Sequence, residues 1–418
     1  MTLARIRRDT LAVLTAQSFY RLSGFVLLMV LSRTLGASDI GAFFFAIAFA
    51  ESLVVLSHFG MGSIMSRRVA SAPGEAARQF APVLGFRALS APLYLVVVLG
   101  FGAAFTDASI PLLAAAALIT LLEDFYFSFG ALFLALRKAT YNVSLGVVIH
   151  SAYIAAFLIG MWVAPSLAML VGVTLFRAAA LVLGGTWITQ SRLFPLAARQ
   201  DWAMVKAAIP FVLITALHVF RDQIGTLLLG MKAGYEEVAH FNLAWRLVAS
   251  AHFVPTAVCA VIVPLLTAQG LTQANRQLML RAAAGVGAVG LGGAAIAWFL
   301  AEPLAGLMYG PLGTSVAPVL RALAIVFPIG FLALFLSLVL QALYEEAHVL
   351  RTLLLVTAAN LIVSWILIPR LGAVGAAYAQ IVSTSLQLLI LSWRLRSLHS
   401  ADRRTDNPVY TVFPDGSP

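Results

Sequence analysis

An all-α, polytopic membrane protein of about twelve transmembrane helices in two six-helix bundles is what this sequence predicts, and three observations carry the prediction. Of the 418 residues, 61% are hydrophobic and only 11% charged, with a mean hydropathy of +0.96, so there is too little polar surface to cover a water-soluble globule. Apolar segments of about 20 residues, each long enough to cross the hydrocarbon core as a helix, recur along the whole chain. The longest internal polar stretch, "SRLFPLAARQDW" (191–202), divides the chain nearly in half.

Taken in order, the apolar cores fall at 11–31, 40–64, 83–105, 109–136, 143–163, 167–189, 207–229, 238–266, 279–300, 316–343, 350–369 and 373–393. They must be helices, because lipid offers no partner to an open backbone and a barrel would show short alternating segments instead. The leading "MTLARIRRDT" is basic like the start of a signal peptide, but a long apolar run without a small-residue cleavage site follows it, so it reads as a retained first span. The resulting organisation is an N-terminal bundle (1–190), a cytoplasmic linker (191–206), a C-terminal bundle (207–396) and a disordered cytoplasmic tail (397–418). A single cysteine, Cys259, makes no internal disulfide, and seven scattered histidines lack ligand spacing. No metal or cofactor is expected beyond coupling to an H+ or Na+ gradient.

Lys and Arg set the orientation. With the N-terminus in the cytoplasm, 18 of the 27 fall on that side, three (Arg33, Lys232 and Arg370) fall outside and the remaining six lie within spans. The net charge of +10 is then a topology signal with attraction to anionic lipid, not a nucleic-acid footprint. Both termini are expected in the cytoplasm.

A weak repeat relates the halves. "DIGAFFFA" (39–46) follows span one as "EVAHFNLA" (237–244) follows span seven, and "FYRLSGF" (19–25) faces "VFRDQIG" (219–225). An even number of spans in each half gives both the same orientation, an arrangement typical of transporters whose substrate sits between the halves. Beyond this, "LSRTLGASDIGAFFFA", "HFGMGSIMSRRVA", "IPFVLITALHVFRDQIGTLLLG", "VAHFNLAWRLV", "VPLLTAQ" and "NLIVSWILIPRLGAVGAAYAQ" (360–380) together resemble the polysaccharide flippases. These are the O-antigen and exopolysaccharide (Wzx-type) branch of the multidrug/oligosaccharidyl-lipid/polysaccharide (MOP) exporter superfamily, which also holds the multidrug and toxic-compound extruders (MATE) and the peptidoglycan lipid flippase MurJ.

The resemblance implies a MATE/MurJ-like pair of bundles around a central, often cationic cavity. It further implies a flippase in the bacterial cytoplasmic membrane that translocates a polyprenyl-pyrophosphate-linked oligosaccharide by alternating access. Its implied partners are that lipid-linked substrate and the glycosyltransferases, polymerase and chain-length regulator of the same pathway; the protein is expected to be a monomer. Arginines on the first span and in the second half contact the headgroup in such proteins, and Arg21 and Arg246 match that pattern. The acidic residue beside the first-span arginine of some peptidoglycan-lipid flippases is absent, since Leu22 follows Arg21.

An arginine at mid-membrane costs roughly 2.5–3.5 kcal/mol on insertion scales, so it must face a wet cavity or a partner. Arg21 shares its helix face with Gln17 and Gly24, and Asn242 and Arg246 repeat that spacing in span eight beside Trp245, a ring able to stack on a sugar. With Arg221 and Arg177 these are the candidate cavity residues, each weighed against structural pairing with a buried carboxylate. For Arg87 and Arg321, near span ends, snorkelling is as good an explanation as function. Glu51 with His58, and His218 with Asp222, share helix faces and are the ion-coupling candidates, against a role for Asp222 in neutralising a neighbouring arginine. Glu123 and Asp124 are expected to cap or to pair near Arg137.

"GVGAVG" (285–290) fits a dinucleotide fingerprint but lies inside an apolar span with no preceding strand, so it reads as helix packing. No Walker A loop occurs, and the outer loops are too short to carry a polymerase or glycosyltransferase site, so an enzyme is not expected. The rings of "AFFFAIAF" and "EDFYFSF" are expected chiefly on the lipid-facing or core surface. The alternatives to the polysaccharide flippase are an ion-coupled drug or metabolite exporter, whose cationic cargo would favour carboxylates over arginines, and a peptidoglycan lipid flippase.

Overall fold

The computed structural model describes residues 3–270 and 272–402. Every predicted apolar core is helical, and no strand occurs among the described residues. The helices are α1 (Leu3–Thr34), α2 (Ala37–Leu53), α3 (Val55–His58), α4 (Met61–Ser71), α5 (Ala76–Phe105), α6 (Ile110–Ala135), α7 (Ala139–Val163), α8 (Leu167–Arg192), α9 (Trp202–Lys232), α10 (Tyr235–Ser250), α11 (Phe253–Gln269), α12 (Gln273–Phe299), α13 (Ala301–Tyr309), α14 (Gly313–Ala324), α15 (Val326–Ala342) and α16 (Glu346–Asp402). The predicted tail begins inside α16, and its part from residue 403 onward lies outside the described residues.

By length and composition, eight helices among the described residues can cross a membrane, or nine if the pair Ala301–Ala324 and Val326–Ala342, bent by 48°, is one span. Helices α1 and α9 carry spans one and seven, and α16 holds two spans joined at Gly372, whose φ of 54° only glycine adopts without strain. The predicted count of twelve is reached only by adding α1 and α9, which do not meet that length-and-composition criterion, and by counting the two limbs of α16 separately.

The chain folds into two compact units: Met1–Asn242 with Ala305–Thr314, and Leu243–Leu304 with Ser315–Pro418. Helix α9, which the sequence assigns to the second half, belongs to the first of these. There it packs on α2, with Gly230 against the Phe45 ring. Phe43, Phe44 and Phe45 are buried, the core alternative of the two surfaces expected for these rings. The first unit's core joins Met61, Met65, Phe80, Phe129, Phe133, Ile188 and Met204 from five helices. Lipid is as apolar as these side chains, so their close fit stabilises through dispersion more than through transfer from water. Large side chains left outside, such as Trp162 at 86% exposure and Phe127 at 73%, are those a lipid surface tolerates.

In the second unit, Gly290 of the "GVGAVG" run lies against the backbone of Pro328, where an added Cβ would stand 2.7 Å from the proline Cα, so this run is helix packing as expected. The two limbs of α16 are clasped by buried Asn360, whose Nδ2 donates to Ser383 Oγ at 2.9 Å and Gln380 Oε1 at 3.2 Å. Cys259 is buried in α11.

Candidate functional site: a polar cavity in the first unit

Span two does not run straight. The Val54 N–H bonds to the Glu51 carbonyl, which releases the Ala50 carbonyl, and Phe59 and Gly60 in left-handed conformation end α3 and release that of Ser57. In lipid each freed carbonyl needs a donor. Tyr94 Oη supplies the first at 3.0 Å and Ser90 Oγ the second at 2.7 Å, from adjacent turns of α5.

Against this break lies a buried ion pair whose arginine Nη groups are bonded, while its Nε, like that of Arg177, is buried without a hydrogen-bond partner among the described residues. Arg87, 6% exposed, donates to Asp124 Oδ2 at 2.8 Å, to the Asp124 carbonyl at 2.9 Å and to Ser128 Oγ at 2.8 Å. Ser57 Oγ adds a 2.6 Å bond to Asp124 Oδ2. His58 Nδ1 accepts the Gly60 N–H, so the ring hydrogen of neutral His58 is on Nε2, 3.9 Å from Asp124 Oδ1. Position along the spans suggested snorkelling for Arg87 and a place near Arg137 for Asp124. The structure corrects both: thirteen residues along α6 separate Asp124 from Arg137 by about 20 Å, while α5 brings Arg87 alongside.

One residue earlier, Glu123 projects from a different face of α6 and pairs with Arg177 of α8, again in place of Arg137. This pair borders a cavity of about 330 Å³ lined by Tyr20, Glu123, Tyr126, Asn142, Gly146, His150, Arg177 and Leu181. The Arg177 guanidinium lies 5.2 Å from the Tyr153 ring centre, and its Nε is buried without a hydrogen-bond partner among the described residues. Tyr126 Oη donates to Asn142 Oδ1 at 2.8 Å. His150 Nε2 shares a 2.7 Å hydrogen bond with Ser23 Oγ, which also lies 3.1 Å from the Tyr20 carbonyl. A fixed cation, a carboxylate, phenol edges and an amide therefore meet in one wet space of the size a saccharide unit or a phosphate group occupies.

The other sequence candidates are distributed along the chain. Tyr20, the neighbour of Arg21, lines the cavity, and Arg21 itself is half-buried on α1. The side chain of Gln17 lies outside the described residues. Glu51 accepts from Gln223 Nε2 at 2.6 Å, and the break after it turns His58 toward Asp124, so these two are not gathered. Asn242 Nδ2 bonds to Thr226 Oγ1 at 3.1 Å and ties α10 to α9. Arg221 is half-buried, with a buried Nε that has no hydrogen-bond partner among the described residues, while His218 and Asp222 are exposed on α9. In the second unit, Trp245 sits 6.0 Å from His252, ring to ring, and Arg246 is exposed.

The polysaccharide biosynthesis protein family matches residues 6–269, which include every helix around this cavity. The chain belongs to that family. No curated protein matches it. Among solved structures, the family member resembles the lipid II flippase MurJ in an inward closed conformation, with a TM-score of 0.75 at 14% identity over 96% of this chain and 94% of that one. It also resembles an inward-facing MATE family multidrug resistance transporter of the MOP superfamily, at 0.69 and 15% identity over 92% and 96%. A third likeness is a MOP superfamily transporter from Pyrococcus furiosus Vc1 (DSM3638), at 0.59 and 16% identity over 95% and 96%. The fold is therefore that of MOP transporters and flippases, two helical bundles in a multi-pass membrane protein, and the relatives are not enzymes.

Sequence reasoning about this family member missed Tyr126, Asn142 and His150. A signal was there: Asn142, Gly146 and His150 recur every four residues and share one face of α7, a polar stripe on an apolar helix.

Proposed function

We propose that this protein is the flippase of a surface-polysaccharide pathway. It carries a polyprenyl-pyrophosphate-linked oligosaccharide across the bacterial cytoplasmic membrane by alternating access, with both termini in the cytoplasm. Membership of the polysaccharide biosynthesis family is the observation that carries this reading. The cavity in the first unit supports it, because the part-satisfied guanidinium of Arg177 suits an anionic group and the tyrosines and Asn142 suit sugar hydroxyls and ring faces. With no ATPase in the chain, transport draws on an ion gradient or on consumption of the cargo outside, and exposed Asp222 is the carboxylate proposed to couple protons. The glycosyltransferases that make the oligosaccharide, and the polymerase and chain-length regulator that use it, are the proposed pathway partners.

Deleting the gene is expected to strand the lipid-linked oligosaccharide on the cytoplasmic leaflet and to remove the finished surface polysaccharide. Complementation with Arg177→Ala is expected to restore protein level but less than a tenth of the polysaccharide. Normal polysaccharide in the deletion strain, with new sensitivity to cationic drugs, would assign the protein to the drug exporters instead.

A further inference from the structure

A second polar pocket, of about 110 Å³, lies apart from the cavity where the end of α4, the start of α5 and the segment between α8 and α9 converge. Arg68, Arg78, Gln79, Pro82, Arg199 and Asp201 line it. Three arginines and one carboxylate line the same pocket, so its wall carries a net positive charge, with Arg78 and Arg199 exposed and Arg68 half-buried. Asp201 accepts the Met204 N–H as the cap of α9, and Glu75 lies 3.6 Å from Arg78, their side chains 50% and 71% exposed. Arg68 reaches only Gln79 Oε1, at 3.5 Å, and neither Arg68 nor Arg199 has a carboxylate within salt-bridge distance among the described residues.

The placement is built in. Arg199 N donates to the Ala81 carbonyl at 3.1 Å, and Gln200 Nε2 to the Gly85 carbonyl at 2.8 Å. Gly85 touches the Arg199 backbone so closely that a Cβ there would overlap the Arg199 carbonyl, so the polar segment lies flat on α5 only because residue 85 is glycine. Its backbone fixed, Arg199 remains on the wall of the pocket that Arg68 and Arg78 also line.

We propose that this pocket is a binding site for a phosphate-class oxyanion, the anion bridging the three arginines and latching the segment to α4 and α5. Arginine forks match tetrahedral oxyanions in paired hydrogen bonds. The volume admits one such group with a water or two, at about 30 Å³ per water. Two sources share this chemistry: the headgroup of an anionic phospholipid, with exposed Trp202 nearby in the manner of an interfacial anchor, and free phosphate.

The test uses the full chain purified in a non-ionic detergent. Native mass spectrometry after incubation with an equal mixture of phosphatidylglycerol and phosphatidylcholine, and thermal unfolding with 10 mM inorganic phosphate against chloride of equal ionic strength, are read for the wild type, R68Q/R199Q, R78Q alone and R192Q. The wild type is expected to retain phosphatidylglycerol selectively or to be stabilised by phosphate. R68Q/R199Q is expected to lose at least four-fifths of that effect, R78Q to lose part of it, and R192Q, an arginine outside the pocket, to keep it. Lipid retention without phosphate stabilisation identifies the headgroup as the source, and the converse identifies free phosphate. An R68Q/R199Q protein that elutes as wild type and responds equally overturns the proposal, as does a wild type that responds to neither probe. Should R68Q/R199Q fail to fold, an undiminished response in R78Q overturns it too.

Discussion

Glu123 and Asp124 are consecutive residues on one helix, each paired with an arginine, and they are used in opposite ways. The Asp124 pair is closed. Arg87 Nη1 meets Asp124 Oδ2, Nη2 donates to the Asp124 carbonyl and Ser128 Oγ, Ser57 Oγ donates to the same carboxylate oxygen, and the Arg87 side chain is 7% exposed. Nε is unpartnered in both arginines among the described residues, so it is exposure and the Nη partners that separate the pairs. The Glu123 pair is open, with 24% of the Arg177 and 37% of the Glu123 side chain exposed beside a cavity. Successive helix residues point about 100° apart, so one turn of α6 serves a buried joint on one side and a ligand-sized space on the other. A buried arginine in a membrane protein is therefore no evidence of a substrate site until its donors have been accounted for.

The largest effect that divides the two belongs to Asp124→Ala. Removing one partner of a buried pair leaves an uncompensated charge, at a cost of about 3–5 kcal/mol. The variant should show sharply reduced membrane levels and a much lower unfolding midpoint by fluorescence-detected size exclusion. R87L/D124L, which removes both charges, should recover most of that loss. A midpoint for Asp124→Ala no lower than that of Arg177→Ala would erase the distinction between closed and open pairs.

The sequence made one side of this division easier to read than the other. Hydropathy and the Lys/Arg bias specify the helices because lipid imposes them residue by residue, and Asn360, Gly372 and the "GVGAVG" run behave as packing and turn residues, as their types suggest. Which carboxylate meets which arginine depends instead on the lateral packing of helices, and span length says nothing about that. Glu51 and His58 show the limit: seven residues apart, they share a face only if the helix is continuous, and the break at Val54 and Phe59 undoes that assumption. Arg177 is a candidate by its mid-span charge alone, with no flanking polar residue to rank it above the others, and it lines the cavity. The stripe on α7 carries no full charge, so a search for ionised residues passes over it.

A smaller effect is expected at Ser57. Its hydroxyl gives Asp124 a 2.6 Å bond to a charged acceptor, a type contributing about 1.5–3 kcal/mol. Ser57→Ala should lower the unfolding midpoint by less than Asp124→Ala while leaving transport per folded molecule unchanged, measured as surface polysaccharide normalised to membrane level. A transport defect at normal stability would show that the closed pair takes part in the transport cycle and is more than a joint.

The smallest effect on stability, and the one that most sharpens the contrast, is expected at Tyr126. Its hydroxyl bonds to Asn142 Oδ1 at 2.8 Å on the cavity wall, where water can replace a lost partner, so Tyr126→Phe should cost no more than about 1 kcal/mol. The same change strips a hydroxyl from the wall and frees the Asn142 amide to turn, which alters the hydrogen-bond pattern offered to any sugar held there. Surface polysaccharide per folded molecule should then fall several-fold while the unfolding midpoint stays near that of the wild type. If instead the midpoint falls as far as in Ser57→Ala and transport per molecule is unchanged, the cavity wall is a second structural joint, and the open pair of Glu123 and Arg177 belongs with the closed one.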